Sequence, residues 1–384
     1  MKSAPVAQAV RDVQYISPAT GERFAVATPM WRDKTGSHLN LTPGPGLTAA
    51  EINIQERSLW RYASAIRVDT SARVSLGEGW TPLVPRPWDG REIHVKLEYL
   101  APTGSFKDRG TSVLFSYLCS VGVRHILEDS SGNAGASMAA YAAAAGFTCR
   151  ILAPASAPAG KISQMTAMGA DVGLIPGDRQ AVADAALREA EKIFYASHNW
   201  QPFFIEGTKT LAFELWEQTN FRGPDAVVVP CGYGSNVLGL WIGFNELLAR
   251  GQVSRIPRIY AVQAAASAPF HAVWQSGGDK WVPIKPAPTM ADGIASVKPV
   301  RIHEVMQAVR GSKGAVIAVS EDEILQALRQ YLGQGLFVEP TSASSGAALT
   351  RLLKSGDVAA NETVAVVLTG SGLKATDKIA KLVG

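Results

Sequence analysis

The sequence has few cysteines, little net charge and no long hydrophobic run. Cys119, Cys149 and Cys231 form no CxxC pair, which argues against a disulfide framework and a structural zinc site, so no metal is expected. The formal net charge is +4, and lysine and arginine are scattered, so nucleic acid is not expected as a partner. No stretch approaches the ~20 apolar residues of a membrane span, and Met1 to Pro18 lacks the apolar core of a signal peptide. We therefore expect a cytoplasmic protein without a membrane anchor.

Glycine, by contrast, is abundant, with 36 residues among 384, which favours tight connections between strands and helices. From Val95 onward, short apolar runs alternate with helical ones, and this alternation predicts βαβ units on a mostly parallel sheet. The predicted strands are His125 to Glu128, Cys149 to Ala153, Val172 to Ile175, Ala226 to Pro230, Ile259 to Val262, Ala315 to Val319 and Val364 to Leu368. The predicted helices include Ala134 to Ala145, Ala181 to Phe194, Leu211 to Gln218, Val237 to Ala249 and Glu321 to Leu332, the last opened by a Ser320–Glu323 capping box. The N-terminal ~90 residues have weak periodicity, and we expect them to wrap the rest.

One lysine stands in an unusual setting. The segment Pro102 to Gly110 places Lys107 between a glycine turn and a helix. A lysine there is either a solvated surface residue or a Schiff-base lysine, whose amine condenses with a carbonyl and shuttles protons.

Two turns connect predicted strands to helices with small polar residues. Ser130 to Gly135 reads SSGNAG, and it is either a capped helix start or a site where backbone N–H groups bind a carboxylate. Cys231 to Asn236 reads CGYGSN, either a plain turn or a phosphate cradle at a helix N-terminus. Its glycine spacing does not match the dinucleotide fingerprint, which argues against a nucleotide-binding Rossmann protein.

A further turn, Leu368 to Leu373, again follows a buried strand and places the hydroxyl of Thr369 at the strand end. The carboxyl ends of parallel strands border the usual ligand cleft. Together, a lysine, a phosphate cradle, an asparagine and a hydroxyl supply the contacts that pyridoxal 5'-phosphate (PLP) needs.

Over roughly residues 75 to 384, the order of these segments resembles the threonine synthase family of fold type II PLP enzymes. The stretches that carry the resemblance are Leu76 to Leu83, Thr103 to Gly110, Ser130 to Ala134, Glu206 to Thr210 and Leu368 to Lys374. It implies a tryptophan synthase β-like α/β fold of two three-layer α/β/α subdomains with mostly parallel sheets. The larger, PLP-binding domain would comprise residues 1–110 and 202–384, and a smaller mobile domain residues 111–201. A homodimer is also implied.

The resemblance assigns roles at matching positions. Lys107 would bind PLP as a Schiff base, Asn133 would contact the phenolic oxygen, and Thr369 would face the pyridine nitrogen. The cofactor phosphate would be held by Gly232, Tyr233, Gly234, Ser235 and Asn236. The substrate would be bound by Ser130, Ser131, Asn133, Ala134 and His198.

The sequence departs from this family in one segment. Members that act on O-phosphohomoserine resemble Asn-Ser-x-Asn-Pro-x-Arg-x-Glu-Gly, where this chain has His198 for the first Asn and Phe204 for the Arg. A phenyl ring cannot make the bidentate phosphate contact of a guanidinium. His198 is either a structural histidine or an anion contact when protonated.

The leading hypothesis is a PLP-dependent lyase that acts on a small α-amino acid by elimination or replacement at the β or γ carbon. It is either a threonine synthase or a paralogue that does not use phosphohomoserine, such as a β-eliminating ammonia-lyase or a β-replacement synthase. A non-catalytic PLP-binding protein is the other alternative, although such a protein would not require Lys107.

Overall fold

The structure, a computed structural model, describes residues 13–383 apart from 156, 158, 178 and the side chains of 159–161, 179 and 180. Of the segment Met1 to Pro18, residues 1–12 lie outside the described part. No helix among the described residues is both long and apolar enough to cross a membrane. The strands are β1 Gln14–Ile16, β2 Arg23–Ala25, β3 Asn40–Leu41, β4 Leu83–Trp88, β5 Arg91–Lys96, β6 His125–Glu128, β7 Thr148–Pro154, β8 Asp171–Ile175, β9 Phe194–Tyr195, β10 Ala226–Pro230, β11 Arg258–Ala264, β12 Ala315–Val319 and β13 Val364–Val367.

The α-helices follow the strands in the alternation that the sequence predicts. They are α1 Lys107–Ser120, α2 Asn133–Ala145, α3 Ala159–Ala167, α4 Arg179–Glu189, α5 Pro202–Thr208, α6 Thr210–Gln218, α7 Ser235–Ala249, α8 Pro269–Gln275, α9 Ile302–Gly311, α10 Glu321–Gly333, α11 Pro340–Ser355 and α12 Thr376–Val383. Short 3-10 helices lie at Ala49–Glu51, Leu59–Ala65, Thr70–Ala72, Glu98–Leu100, Ala265–Ser267, Asp292–Ile294 and Gly372–Lys374.

The contacts divide the chain into two compact units. Unit one comprises residues 13–79 and 107–208, and unit two comprises residues 80–106 and 209–383. The sequence analysis placed the N-terminal region with the larger domain, whereas its contacts group it with residues 107–208. Tyr15 packs on Phe203 and hydrogen-bonds Tyr117, and Arg67 forms a buried ion pair with Glu206 at 2.8 Å. The mobility of the smaller domain stays a prediction.

Unit one contains a four-stranded parallel sheet in the order β8-β7-β6-β9 and a small antiparallel sheet in the order β2-β1-β3. The prediction of one helix from Ala181 to Phe194 was wrong at its end. Helix α4 stops at Glu189, and Phe194 pairs with Ile126 in β9. Backbone pairing to a buried strand overrides the helical spacing of the sequence here.

Unit two contains a six-stranded sheet in the order β12-β11-β10-β13-β5-β4, parallel except for the edge strand β4. Every residue of β10 and β13 is buried, as expected for central strands of a sheet covered on both faces. The α/β fold with mostly parallel sheets is therefore confirmed. The predicted capping box of α10 is also confirmed, with Ser320 N–H donating to Glu323 at 2.7 Å.

The β4–β5 hairpin was missed by the sequence analysis. Asp89 and Gly90 form its two-residue turn with φ values of 45° and 83°, and Asp-Gly is a strong signal for such a turn. Pro85 and Pro87 obscured the strand, but proline is tolerated on an edge strand such as β4.

Candidate active site

Lys107 is the first residue of α1, and it directly follows a turn that is tied to the end of β13. The N–H of Phe106 donates to the carbonyl of Thr369 at 3.0 Å, and Ser105 forms an isolated bridge with Gly370. The Lys107 side chain is half-buried, and its Nζ lies 5.6 Å from the centre of the Phe204 ring. The chain thus fixes the backbone just before this lysine.

Two other lysines, Lys96 and Lys209, are fully buried and are held by carboxylates. Lys96 pairs with Glu214 and donates to Gln218 at 2.7 Å. Lys209 pairs with Glu246 at 2.9 Å. These contacts give both residues structural roles in unit two.

The turn after β6 leads directly into α2, which begins at Asn133. Its shape depends on Gly135, because a Cβ there would lie 1.9 Å from the carbonyl oxygen of Ser130. Helix α2 is joined to α1 by Ser137, whose hydroxyl donates to Asp108 at 2.6 Å. The predicted substrate-binding residues Ser130, Ser131, Asn133 and Ala134 therefore lie on a helix start bonded to the helix of Lys107.

The turn after β10 is formed by tight backbone packing. Gly234 has φ of 92°, and a Cβ there would lie 2.3 Å from Val305. The carbonyl of Gly232 accepts a hydrogen bond from Ser296 at 2.6 Å. Tyr233 and Ser235 are both half-buried, and α7 starts at Ser235.

Asn236 lies in the first turn of α7. The burial and hydrogen bonding of its side chain bear on whether this loop fits a phosphate. Its side chain is 2% exposed, yet neither Oδ1 nor Nδ2 has a hydrogen-bond partner among the residues that the structure describes. Buried amides are normally hydrogen-bonded, and the N–H groups and dipole at a helix N-terminus favour an anion. The loop therefore fits the phosphate of PLP, with Asn236 as an additional donor.

Thr369 is buried just beyond β13, and its Oγ1 lies 3.2 Å from the hydroxyl of Ser342. Ser342 also accepts from the N–H of Gly370 at 2.9 Å, so it fixes the backbone on which Thr369 stands. The sequence analysis missed Ser342. The available sequence signal was the Glu339-Pro340 pair, because proline is favoured in the first turn of a helix. This pair marks the start of α11, the helix that carries Ser342.

His198 and Phe204 lie together in unit one, next to Lys107. The Phe204 ring is fully buried against Gly110 of α1, where a Cβ would come within 2.5 Å of the ring. The rings of His198 and Phe204 are 5.6 Å apart. His198 Nδ1 lies 3.2 Å from Oε1 of Glu128, a residue that the sequence analysis did not single out. An apolar ring thus occupies the position of the family arginine.

The predicted site residues therefore form one group in each unit. Unit one contains Lys107, the Ser130 to Ala134 turn and His198, and unit two has the Gly232 to Asn236 loop and Thr369 at the carboxyl ends of β10 and β13. Among the residues that the structure describes, no group of three or more His, Cys, Asp or Glu side chains could hold a metal ion.

Comparison with known proteins shows the family of this chain. Residues 74–370 match the family model described as pyridoxal-phosphate dependent enzyme. The chain is 36% identical to a threonine synthase of Methanocaldococcus jannaschii over 84% of this chain and 82% of that protein. It is 35% identical to a threonine synthase of Mycobacterium leprae over 88% of this chain and 91% of that protein.

Solved structures share the fold at lower sequence identity. Threonine deaminase isoform 2 from Solanum lycopersicum superposes with a TM-score of 0.69 at 21% identity, covering 89% of this chain and 96% of that chain. A fungal L-serine ammonia-lyase from Rhizomucor miehei has a TM-score of 0.69 at 20% identity, covering 78% of this chain and 97% of that chain.

Proposed function

Because this chain belongs to the pyridoxal-phosphate-dependent enzymes, and within them to the threonine synthase family, we propose that it is a lyase that holds PLP on Lys107 and acts on a small α-amino acid without a phosphate group. Elimination or replacement occurs at the β or γ carbon of that substrate. The observation that carries the proposal is the buried amide of Asn236, which has no partner within the glycine turn after β10.

Each group has a role that follows from its chemistry. The amine of Lys107 binds the cofactor covalently and carries a proton to and from the substrate α carbon. Gly232 to Asn236 hold the phosphate through backbone N–H groups. When bound, PLP supplies the electron sink that makes the α proton acidic.

The remaining groups orient the reactants. Asn133 donates to the phenolic oxygen of the cofactor, and the helix start that carries Ser130, Ser131 and Ala134 binds the substrate carboxylate. Thr369 offers a neutral hydroxyl to the pyridine nitrogen. A hydroxyl does not favour protonation of that nitrogen as a carboxylate would, so elimination is favoured over racemisation or transamination.

Phe204 supports the absence of a phosphate from the substrate. The family arginine at this position would contribute about 2 to 5 kcal/mol of charge-assisted phosphate binding, whereas here a buried ring packs on Gly110. The curated relatives named threonine synthase make that reaction the second candidate.

We further infer a cytoplasmic homodimer that binds neither nucleic acid nor membranes. The small net charge supports the absence of nucleic-acid binding. The family resemblance supports the homodimer. Sedimentation at micromolar concentration is expected to give a dimer, and a monomer alone would contradict it.

Borohydride reduction of the PLP-loaded protein, followed by peptide mapping, tests the cofactor attachment. The pyridoxyl group is expected on Lys107, and Lys107→Ala should bind PLP only reversibly and lose turnover. A stable label on Lys96 or Lys209 would refute the proposal, since both are held in buried ion pairs.

A further inference from the structure

Two buried side chains of unit two hold the backbone of the glycine turn after β10. Gln263 lies near the end of β11, and its Nε2 donates to the carbonyl of Cys231 at 3.2 Å. Ser296 follows the 3-10 helix Asp292–Ile294, and its hydroxyl donates to the carbonyl of Gly232 at 2.6 Å. Gln263 is fully buried, and Ser296 is 1% exposed. Side chains from other parts of the chain therefore bind two consecutive carbonyls of the turn.

The amide of Gln263 uses both of its ends. Its Oε1 accepts the backbone N–H of His271 at 3.0 Å, in the first turn of α8. Because an N–H can donate only to the oxygen of the amide, this contact leaves Nε2 to face the carbonyl of Cys231. The neighbouring residues Val262 and Ala264 are buried and apolar. A buried amide is unfavourable unless it is hydrogen-bonded, so the contacts with α8 and with the turn offset the burial of this glutamine.

The two bonds restrain the backbone of Gly232. Each carbonyl shares a rigid, planar peptide unit with the N–H of the next residue. Gln263 holds the peptide unit before Gly232 and Ser296 holds the one after it, so both backbone rotations of this glycine are restricted. A Cβ at Gly232 would lie only 3.0 Å from the carbonyl oxygen of Gly293. The packing thus favours a glycine, whose conformational freedom is large unless it is restrained from outside.

This restraint also orients a hydrogen-bond donor of the turn. In a trans peptide unit, the N–H points away from the carbonyl. The bond from Gln263 to the carbonyl of Cys231 therefore directs the N–H of Gly232 to the opposite side of the turn. Donors that are oriented before binding hold an anion at a lower entropic cost than donors that must first be ordered.

We propose that Gln263 and Ser296 are positioning residues for the cofactor phosphate, which lock Gly232 between them and so fix the direction of the N–H groups in the turn. This rests on the proposed function, in which Gly232 to Asn236 hold the phosphate of PLP, and deepens it. Each of the two side chains acts through a backbone carbonyl of the turn.

The test compares the binding of PLP and of pyridoxal, which lacks the phosphate, to the apoprotein. Both ligands bind covalently to Lys107, so the ratio of their dissociation constants isolates the contribution of the phosphate. Absorbance titration should give on the order of hundredfold tighter binding of PLP to the unaltered protein. Ser296→Ala and Gln263→Met should each reduce this ratio about tenfold, because one peptide unit of the turn is released. Their affinity for pyridoxal should not change.

Ser312→Ala is the matched control. Ser312 is 3% exposed, and its hydroxyl donates to the carbonyl of Val309 at 2.9 Å and accepts the N–H of Ile259 at 3.1 Å. It resembles Ser296 in burial and in hydrogen bonding, but it lies at the amino end of β11, opposite to the end that carries Gln263. Its replacement should lower the thermal unfolding midpoint without changing the affinity ratio. An equal fall of the ratio in this control overturns the proposal.

The results separate this inference from the proposed function. An unchanged ratio in a folded variant overturns the role of the residue that was replaced, and if one variant fails to fold, the other decides. Equal affinity of the unaltered protein for PLP and pyridoxal would instead show that the turn does not hold the phosphate. That result would refute the proposed function at this loop together with the inference.

Discussion

The turn after β6 in unit one and the turn after β10 in unit two both join a buried parallel strand to a helix, and glycines shape both of them. A Cβ at Gly135 in unit one or at Gly234 in unit two would clash with a neighbouring atom, so both turns depend on close backbone approach. In unit one, the surroundings depend in addition on the side chains of Glu128, His198 and Phe204. Backbone geometry persists through most substitutions, whereas one side-chain change alters the chemistry of a subsite. The cofactor end of a site can thus be shared among relatives whose substrates differ.

The largest effect is expected from adding a methyl group to the phosphate loop. Gly234→Ala combines a left-handed φ of 92° with a Cβ that would lie 2.3 Å from Val305. Gly251→Ala is its control, because Gly251 has φ of 66° but no atom within 4 Å of a Cβ. The control should cost about 1 to 2 kcal/mol of folding stability from backbone strain alone.

Gly234→Ala should in addition weaken PLP binding by at least about tenfold, since the loop must shift away from the phosphate. Absorbance titration of the apoprotein measures this. Equal PLP affinity in the two variants would show that the loop does not hold the cofactor phosphate.

A substitution in unit one should change the substrate without changing cofactor binding. Phe204→Arg restores a guanidinium where the family has one, and it should raise kcat/KM for O-phosphohomoserine about tenfold over Phe204→Leu. Phe204→Leu controls for loss of the ring that packs on Gly110. The same kcat/KM in both variants would contradict a phosphate-binding role for this position.

A smaller change is expected at Thr369. Thr369→Asp should keep PLP bound but divert turnover to side products, because a carboxylate favours protonation of the pyridine nitrogen. Thr369→Ser retains a hydroxyl near Ser342 and should behave as the unaltered protein does. Chiral chromatography of the products measures the difference, and an unchanged product spectrum with Thr369→Asp would count against this contact.

The smallest effect at neutral pH is the contribution of the buried thiols to folding stability. Burial raises the pKa of Cys231 in unit two from 9.0 to about 12, and burial together with the nearby Glu128 raises the pKa of Cys149 in unit one to about 12. The unfolded chain releases these protons first, so stability is complete below pH 9 and falls as the pH rises towards 12.

Urea unfolding between pH 8 and pH 11 measures this loss. The urea concentration at the unfolding midpoint should decrease as the pH rises above 9. Cys231→Ala should make this decrease with pH less steep. Glu128→Gln should reduce the contribution of Cys149 only. A urea midpoint that stays constant up to pH 11 would contradict the raised pKa values of the two thiols.

The sequence predicts most of the parallel strands because their residues are apolar without alternation. His125–Glu128, Ala226–Pro230 and Ala315–Val319 were predicted with the observed bounds. The edge strand β4 was missed because it is mostly only partly buried and contains prolines. The end of α4 was misplaced because strand pairing, which joins Phe194 to a distant residue, leaves no local signal.

The site residues likewise divide into those with a local sequence signal and those whose role depends on distant residues. Glycines and hydroxyls directly after buried strands predict the phosphate-binding loop Gly232 to Asn236 and the contact of Thr369. Glu128 and Ser342 were missed because their importance depends on partners distant in sequence, at His198 and Thr369. No spacing rule predicts such a pair.

Formation of threonine from O-phosphohomoserine tests the central claim most directly. Phe204, His198 and Glu128 lie together where the family has its phosphate-binding residues. They should keep kcat/KM for this substrate below about 10⁴ M⁻¹s⁻¹, the lower end of the usual enzyme range. A small α-amino acid without a phosphate group should give a higher kcat/KM. Threonine formation at or above about 10⁴ M⁻¹s⁻¹ would contradict the account.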